Sequence, residues 1–466
     1  MDLANKDVLI VGLGLSGVAV ARFAKNRAAS VTVTDIAREE ELTPYVQEAR
    51  KLNVNMELGQ HNIETFERTD LIIVSPGVSH TILPLERAKK KGIPVLGELE
   101  LASRYIHEPI VAISGTNGKT TTTSLLGKML KNSGCSVFVG GNIGNPLLDY
   151  ADKSPASAIV VAEVSSFQLD TTDTFKPQVS VLLNISADHL DRYNDFEDYV
   201  KSKGRIFANQ QESDTAIFNA SDPLIRSLSK DLTARKLPFH HQNTIQGNTR
   251  EGAVIYWGNS HNHPNIMIYA NDNTKKAIDL SQVKLPGRHN IENVAAASLA
   301  AFTVGGTLAG VQSAVNDFRG LSHRLEYVDT INNVQFFNDS KATNVDAVAR
   351  ALETFSKPVV LIMGGRDKGG DFKHLKHLVR RHAKKLIVMG EAKRDIKYFL
   401  ESACEGGTRI ASTIEDAVLS AYKEASPGDV VLLSPACSSF DMYSSYAERG
   451  EAFCQAVKCL NKIRQK

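Results

Sequence analysis

A lysine set between glycine and threonine marks the stretch "IVAISGTNGKTTTTS", residues 110–124. Gly115, Gly118, Lys119 and Thr120 follow an apolar run and lead into a stretch of helical spacing. Each residue type has a task in holding phosphate. Glycines bare their amide N–H groups, lysine reaches the outer phosphates, and a threonine hydroxyl ligates Mg²⁺. The longer glycine-lysine pattern would place a glycine where this chain has Ile113, so "GTNGKTT" is a shorter variant. A metal there needs acids or imidazoles at neighbouring strand ends. "AIVVAEVSSFQL" closes its apolar run on Glu163, and "VSVLLNISADHLDRY" closes near Asp188 and His189. A carboxylate at the end of a core strand costs free energy to bury unpaired, and a metal or phosphate neighbour offsets that cost.

A second candidate lies about a hundred residues earlier in "VLIVGLGLSG". Gly12, Gly14 and Gly17 form G-x-G-x-x-G between a strand and a helix, and Asp35 ends the following strand. This context matches a dinucleotide-binding crossover, whose glycines admit a diphosphate to the helix N-terminus. A diphosphate-bearing ligand is expected there. Which nucleotide it carries stays open from these residues alone.

The elements that must position these residues alternate strand and helix. "DVLIVGLG", "SVTVTD" and "DLIIVSPGV" are β-branched runs separated by helical segments, the rhythm of a doubly wound parallel sheet. A second α/β unit begins at "PIVAISG". In its first helix Leu125, Leu126, Met129 and Leu130 share one face and Gly134 stops the helix. From about 240 to 283 the pattern turns to short alternating runs, "AVIYW" and "NIMIYA", which predict a β-hairpin insert. His240, His241 and the "SHNHP" stretch fall in this polar insert and read as solvated loop rather than metal site. From about 321, "VQFFNDS", "PVVLIMGG", "KLIVMGE" and "DVVLLSPA" begin a third α/β unit. The expected division is 1–97, 98–320 and 321–466. The expected fold class is α/β with a Rossmann-like first domain, a central phosphate-loop sheet with a small β insert, and a Rossmann-like third domain.

Composition narrows the function classes. The chain has 466 residues, 54 Lys plus Arg against 52 Asp plus Glu, a balance that argues against a nucleic-acid partner. No apolar run reaches the ~18 residues of a membrane span, and the N-terminus lacks a signal-peptide pattern. The five cysteines show no CxxC pairing, which predicts reduced thiols in a cytoplasmic protein.

"SGTNGKTT", "EVSSFQL", "NISADHLDRY", "LPGRHNIEN" and "NDSKATN" together resemble the ATP-dependent Mur ligases of bacterial peptidoglycan synthesis. "HRLEYV…NDSKATN" and "SPACSSFDMYSSYAERG" resemble the branch that adds D-glutamate. The resemblance runs along all three units and implies why two nucleotide-type loops occur in one chain. The first holds the UDP of UDP-N-acetylmuramoyl-L-alanine and the second holds ATP. It implies UDP contacts at Gly14, Leu15, Ser16, Asp35, Ser75, Gly77 and Asn142. It implies ATP contacts at Gly115, Thr116, Asn117, Gly118, Lys119, Thr120 and Thr121, with Asn290 and Asn293 at the adenine. Arg324 would meet the γ-phosphate, and Asp339 and Lys341 the nucleotide. Thr343, Lys368, Ser439 and Tyr446 would bind D-glutamate. Metal ligands would be Thr120, Glu163, His189 and Lys203, the last carbamylated and serving a second Mg²⁺. Lys119, Glu163, His189, Lys203 and Arg324 form the implied catalytic set. Two positions depart from the family pattern: Ile36 replaces a hydroxyl residue near uracil, and Tyr446 replaces phenylalanine.

The implied reaction runs through an acyl phosphate that the D-glutamate amine attacks. No G-x-S-x-G elbow or other nucleophile motif demands a covalent enzyme intermediate. A sibling Mur or folylpolyglutamate-type ligase, an NAD-dependent dehydrogenase using the first loop, and a slow ATPase switch protein are the alternatives. A monomer that touches neither nucleic acid nor membrane is expected.

Overall fold

The computed structural model describes residues 1–153, 158–242, 244, 250–257, 264–270 and 274–464. His261 and His263 of "SHNHP" lie outside the described residues. Runs of β-branched and aliphatic residues form three sheets. The first contains β1 (Asp7–Val11), β2 (Ser30–Asp35), β3 (Asn55–Leu58), β4 (Leu71–Val74) and β5 (Val95–Gly97) in the order β3-β2-β1-β4-β5. All its pairings are parallel, as the βαβ rhythm requires.

The second sheet has nine strands: β6 (Ile110–Ser114), β7 (Val137–Gly141), β8 (Ile159–Glu163), β9 (Val179–Leu182), β10 (Thr215–Asn219), β11 (Arg235–His241), β12 (Gly252–Tyr256), β13 (Asn265–Tyr269) and β14 (Lys275–Asp279). Their order is β14-β13-β12-β11-β10-β9-β6-β8-β7. The expected hairpin insert is a three-stranded antiparallel meander, β12 to β14, that extends the parallel core because β12 pairs with β11. This pairing corrects the reading of His240 as solvated. β11 has a neighbour on each side, its alternate side chains enter the core, and His240 is 4% exposed. His241 stacks on Trp257.

The third sheet contains β15 (Glu326–Ile331), β16 (Val334–Asn338), β17 (Val359–Gly364), β18 (Ala383–Met389), β19 (Thr408–Ile410) and β20 (Val430–Leu433), ordered β15-β16-β20-β17-β18-β19. Two buried aliphatic clusters lie with it, one including Val359, Leu361 and Leu432 and the other Val360, Ile362 and Val431. These alternate along β17 and β20, so the two strands bury both faces. β15 alone runs antiparallel.

The chain packs as two compact units. One comprises Met1–Asn184, Tyr199–Ser281 and Val294–Val315; the other comprises Ile185–Asp198, Gln282–Asn293 and Asn316–Lys466. Inside the first unit, Glu100 ties the helix Glu98–Ser103 to the segment before β9. Its carboxylate accepts from the amides of Asp173, Thr174 and Phe175 and from Arg104. Among the described residues no helix is long and apolar enough to cross a membrane, and the five cysteines are free thiols.

Candidate functional site

The phosphate-loop candidate lies where β6 ends and the helix Lys119–Asn132 begins. Leu125, Leu126, Met129 and Leu130 are fully buried and anchor that helix on the sheet, and Gly134 follows its C-cap at φ +85°. The loop turns through Gly115 at φ +151° and Gly118 at φ +86°, where a side chain would be strained. Lys119 Nζ donates to the carbonyls of Gly115 and Thr116, both at 2.8 Å. The Lys203 ammonium also donates to Gly115 O at 2.9 Å, from the helix Phe196–Gly204. Lys203 is 1% exposed whereas Lys201 faces solvent, as the helical spacing predicts. Its Nζ lies 4.8 Å from the centre of the Tyr199 ring, and the Tyr199 hydroxyl is 3.1 Å from Thr116 Oγ1.

Glu163 stands beside the loop through strand register, because it pairs with Ile113 across β6 and β8. Its Oε1 accepts from Asn142 Nδ2 at 2.9 Å, and its buried Oε2 has no hydrogen-bond partner. A buried carboxylate oxygen left unsatisfied is what a divalent cation would complete, so the residues fit Mg²⁺. Among the described residues no three acidic, histidine or cysteine side chains gather into a ready-made metal centre.

At the N-terminal loop the glycines do two jobs. A Cβ at Gly12 would come within 2.8 Å of Ser75 Cβ, and one at Gly17 within 2.1 Å of Gly12 O, so both are fixed by packing. Gly14 would meet nothing within 4 Å and caps the helix Leu15–Lys25 beside open space. Ser75 Oγ donates to Gly12 O at 3.0 Å. Both carboxylate oxygens of Asp35 accept main-chain amides, Leu13 N at 2.7 Å and Ala37 N at 2.9 Å. Asp35 therefore shapes this loop. Leu15 and Ile36 are exposed at 56% and 68%, leaving an apolar rim next to it.

In the second unit, His189 adopts φ +57° and its amide is held by Asp188 Oδ1 at 2.9 Å. Asp188 Oδ2 accepts from Asn344 Nδ2 at 3.0 Å. Asp188, Thr343 and Lys368 line one cavity. Ser439 and Tyr446 are not among the residues of that cavity. Ser439 is buried, and the Tyr446 hydroxyl accepts from Lys341 Nζ at 3.0 Å. The Asp339 carboxyl is pushed up to about 7 by burial, against the lowering influence of Ser434, the Leu325 amide and Arg324. Asn293 Nδ2 donates to Asn290 Oδ1 at 3.1 Å, and Asn290 Nδ2 to Pro286 O at 2.6 Å, so these two amides form a chain into the 286–290 turn. Burial, aided by Arg350, pushes His289 in the same turn down to about 4.

Two residues, Asn184 in "NISADHLDRY" and Arg449 in "SPACSSFDMYSSYAERG", had no role assigned to them from the sequence. Asn184 braces the phosphate loop. Arg449, 2% exposed, donates to Ser340 Oγ and O and to the carbonyls of Gly364, Cys437 and Ser438, and burial lowers it to about 10. An arginine in a helix of mixed charge ordinarily faces water, so only the long-range fold reveals its burial.

Comparison with known proteins gives three family matches in order. Residues 6–97 match the Mur ligase MurD-like N-terminal domain, 113–301 the Mur ligase middle domain, and 323–437 the Mur ligase glutamate ligase domain. The chain is 50% identical over 464 residues to a UDP-N-acetylmuramoylalanine–D-glutamate ligase of Desulfosudis oleivorans, covering 99% of this chain and 98% of that protein. It is 48% identical to the protein of the same name from Desulfatibacillum aliphaticivorans, covering 99% and 100%. Among solved structures, the MurF ligase from Thermotoga maritima in complex with ADP shares the fold with a TM-score of 0.63 at 17% identity, covering 99% of each chain. The UDP-N-acetylmuramate-alanine ligase of the same organism does so at 0.60 and 21%, covering 98% of this chain and all of that one.

Proposed function

This chain belongs to the Mur ligase family, and from that premise we propose that it joins D-glutamate to UDP-N-acetylmuramoyl-L-alanine with ATP, in the cytoplasm. The observation that most supports the choice of amino acid is the name shared by relatives up to 50% identical along essentially the whole chain. The phosphate loop beside an unsatisfied Glu163 oxygen supports the use of ATP with Mg²⁺.

The substrate carboxylate attacks the γ-phosphorus and ADP leaves, giving an acyl phosphate. The D-glutamate amine then attacks the acyl carbon, phosphate departs, and the amine proton is lost to solvent or a nearby base. The Lys119 ammonium is already at the loop and has only to turn from its carbonyls to the phosphates. The loop Gly115 to Thr121 wraps the chain of phosphates, its helix-entry amides donating to them, and Arg324 neutralises charge at the transferred group. Glu163, Thr120 and His189 would hold Mg²⁺, and Lys203, as a carbamate, a second ion. Bound Mg²⁺ supplies positive charge to the phosphate oxygens, easing nucleophilic attack. Asn290 and Asn293 are assigned to the adenine, Asp339 and Lys341 to the nucleotide, and Thr343, Lys368, Ser439 and Tyr446 to D-glutamate. Gly14, Leu15, Ser16, Asp35, Ser75, Gly77 and Asn142 are assigned to the UDP end, Asp35 also holding the loop in shape through the Leu13 and Ala37 amides. The three-domain division at 97 and 320 stays part of this proposal, as does the monomeric state.

The test is phosphate release from ATP plus UDP-N-acetylmuramoyl-L-alanine, screened across amino acids. D-glutamate should support turnover, with L-glutamate far weaker. Equal turnover with L-alanine or a diamino acid would reassign the chain to a sibling activity.

A further inference from the structure

Of the side chains that hold the phosphate loop from outside, Asn184 pairs with both main-chain groups of one loop residue. Asn184, 6% exposed, follows β9, which pairs with β6 directly beneath the loop. Its side-chain Oδ1 accepts the Asn117 amide at 2.8 Å and its Nδ2 donates to the Asn117 carbonyl at 3.0 Å. Its own carbonyl accepts the Thr116 amide at 2.9 Å. A primary amide paired with both main-chain groups of one residue copies a ladder pairing. It fixes position and orientation together. Gly115 makes this approach possible: a Cβ there would lie 3.0 Å from Leu183 Cβ and 3.4 Å from Asn184 N.

We propose that Asn184 is the positioning residue of the nucleotide site: it locks the Thr116–Asn117 peptide segment so that the N–H groups entering the helix Lys119–Asn132 stay aimed at phosphate. The locked segment also fixes which donors serve the ligand. The Thr116 and Asn117 amides are committed to Asn184, which leaves the helix-entry amides and the Lys119 ammonium for phosphate. The same lock sets the Gly115 and Thr116 carbonyls on which Lys119 rests. Without it the loop would have to pay the ordering entropy when nucleotide binds, and affinity would fall while the chemical groups remained in place. Asn184 does not touch the reacting atoms in this account; it acts through Asn117.

The proposal rests on the ATP reading of the loop, and the experiment separates the two. ADP with Mg²⁺ is titrated into wild type, Asn184→Ala and Asn184→Asp, with steady-state kinetics and amide hydrogen exchange over residues 114–121. Asn184→Ala removes both side-chain bonds. Asn184→Asp keeps the acceptor but loses the donor and adds a negative charge near the phosphates. In Asn184→Ala the ADP dissociation constant and the KM for ATP should rise roughly ten- to a hundred-fold, from the loss of buried hydrogen-bonded partners. The KM for the UDP-linked substrate should stay within about twofold, and exchange of the Asn117 amide should quicken. Asn184→Asp should bind ADP more weakly than wild type despite its retained acceptor. Failure of wild type to bind ADP would remove the nucleotide reading itself. Wild-type ADP affinity in a folded Asn184→Ala protein would overturn only the positioning role. A parallel rise of every KM would overturn it too, since that marks general loosening. Should Asn184→Ala not fold, Asn184→Ser with the same readouts decides in its place.

Discussion

At the scale of single residues, the informative ones are buried charges whose partners are backbone rather than counter-ions. Glu98 is 1% exposed, accepts the Leu148 amide at 2.9 Å, and is pushed up to about 7 by burial. A carboxyl raised in the fold above its ordinary 4.5 stabilises the fold fully below that value. The benefit disappears as pH rises towards 7, by at most about 3 kcal/mol. Glu98→Gln keeps the acceptor for Leu148 and removes the titration. The stability of the variant relative to wild type should therefore increase between pH 5 and pH 8 in urea melts, and an unchanged difference at the two pH values would remove this account. His289 works in the opposite direction: lowered to about 4, it stabilises above 6.5 and loses that contribution as pH falls through the interval. Lys203 belongs to the same class of buried charge. Its ammonium and that of Lys119 converge on Gly115 O, a crowding of positive charge that conversion of one amine to a carbamate would relieve. Lys203→Ala should be nearly inactive and should regain turnover with added acetate. Clear unmodified ammonium density at neutral pH together with no acetate rescue would refute the carbamate.

At the scale of elements, the two glycine-rich turns separate packing from binding. Gly17→Ala would drive a methyl to 2.1 Å from the Gly12 carbonyl, which requires the helix Leu15–Lys25 to move off the sheet. A loss on the order of 1–3 kcal/mol in stability is expected from such overpacking. Gly14→Ala adds its methyl to open space at φ −116°, which any residue adopts. It should leave the melting temperature near wild type and raise the KM for the UDP-linked substrate. A Gly14→Ala enzyme with unchanged KM would move the substrate away from this turn. These turns and the strands feeding them were legible in the sequence because local patterns encode them. Apolar runs of four to six residues, glycines at fixed offsets and the Leu125–Leu130 face need no distant partner. What was not legible depends on pairing across the chain. "AVIYW" and "NIMIYA" give two strands of the insert, but their joining to β11, and with it the burial of His240, follows from sheet order. Asn184 and Arg449 look like ordinary polar residues until β9 lies beside β6 and the carbonyls of Gly364, Cys437 and Ser438 surround one guanidinium. Asp35 shows the same limit: its place at the end of β2 was legible, but its bonds to the Leu13 and Ala37 amides were not.

At the scale of the whole molecule, the chain carries two phosphate-type turns, each at the C-terminal end of a parallel strand in the first compact unit, β1 and β6. A fold of this kind binds ligands beyond the carboxyl ends of such strands, so each turn is a separate ligand position. They differ in chemistry. The β6 turn has a lysine, a threonine hydroxyl and an unsatisfied acid beside it, and so suits a triphosphate with its metal. The β1 turn has no lysine within its glycine pattern, an acid already used by the backbone, and an exposed apolar rim of Leu15 and Ile36. That suits a diphosphate followed by a flat base. Two ligands on two independent turns stabilise the fold independently, each by ~2.7 kcal/mol at a hundred times its dissociation constant. Thermal melts with Mg²⁺ should therefore show ADP and UDP-N-acetylmuramoyl-L-alanine each raising the transition, and their increments adding when both are present. NADH at the same concentrations should raise it by no more than buffer does. Mutual exclusion of ADP and the UDP-linked substrate would place both on one turn, and a substantial shift with NADH would return the β1 turn to dinucleotide binding.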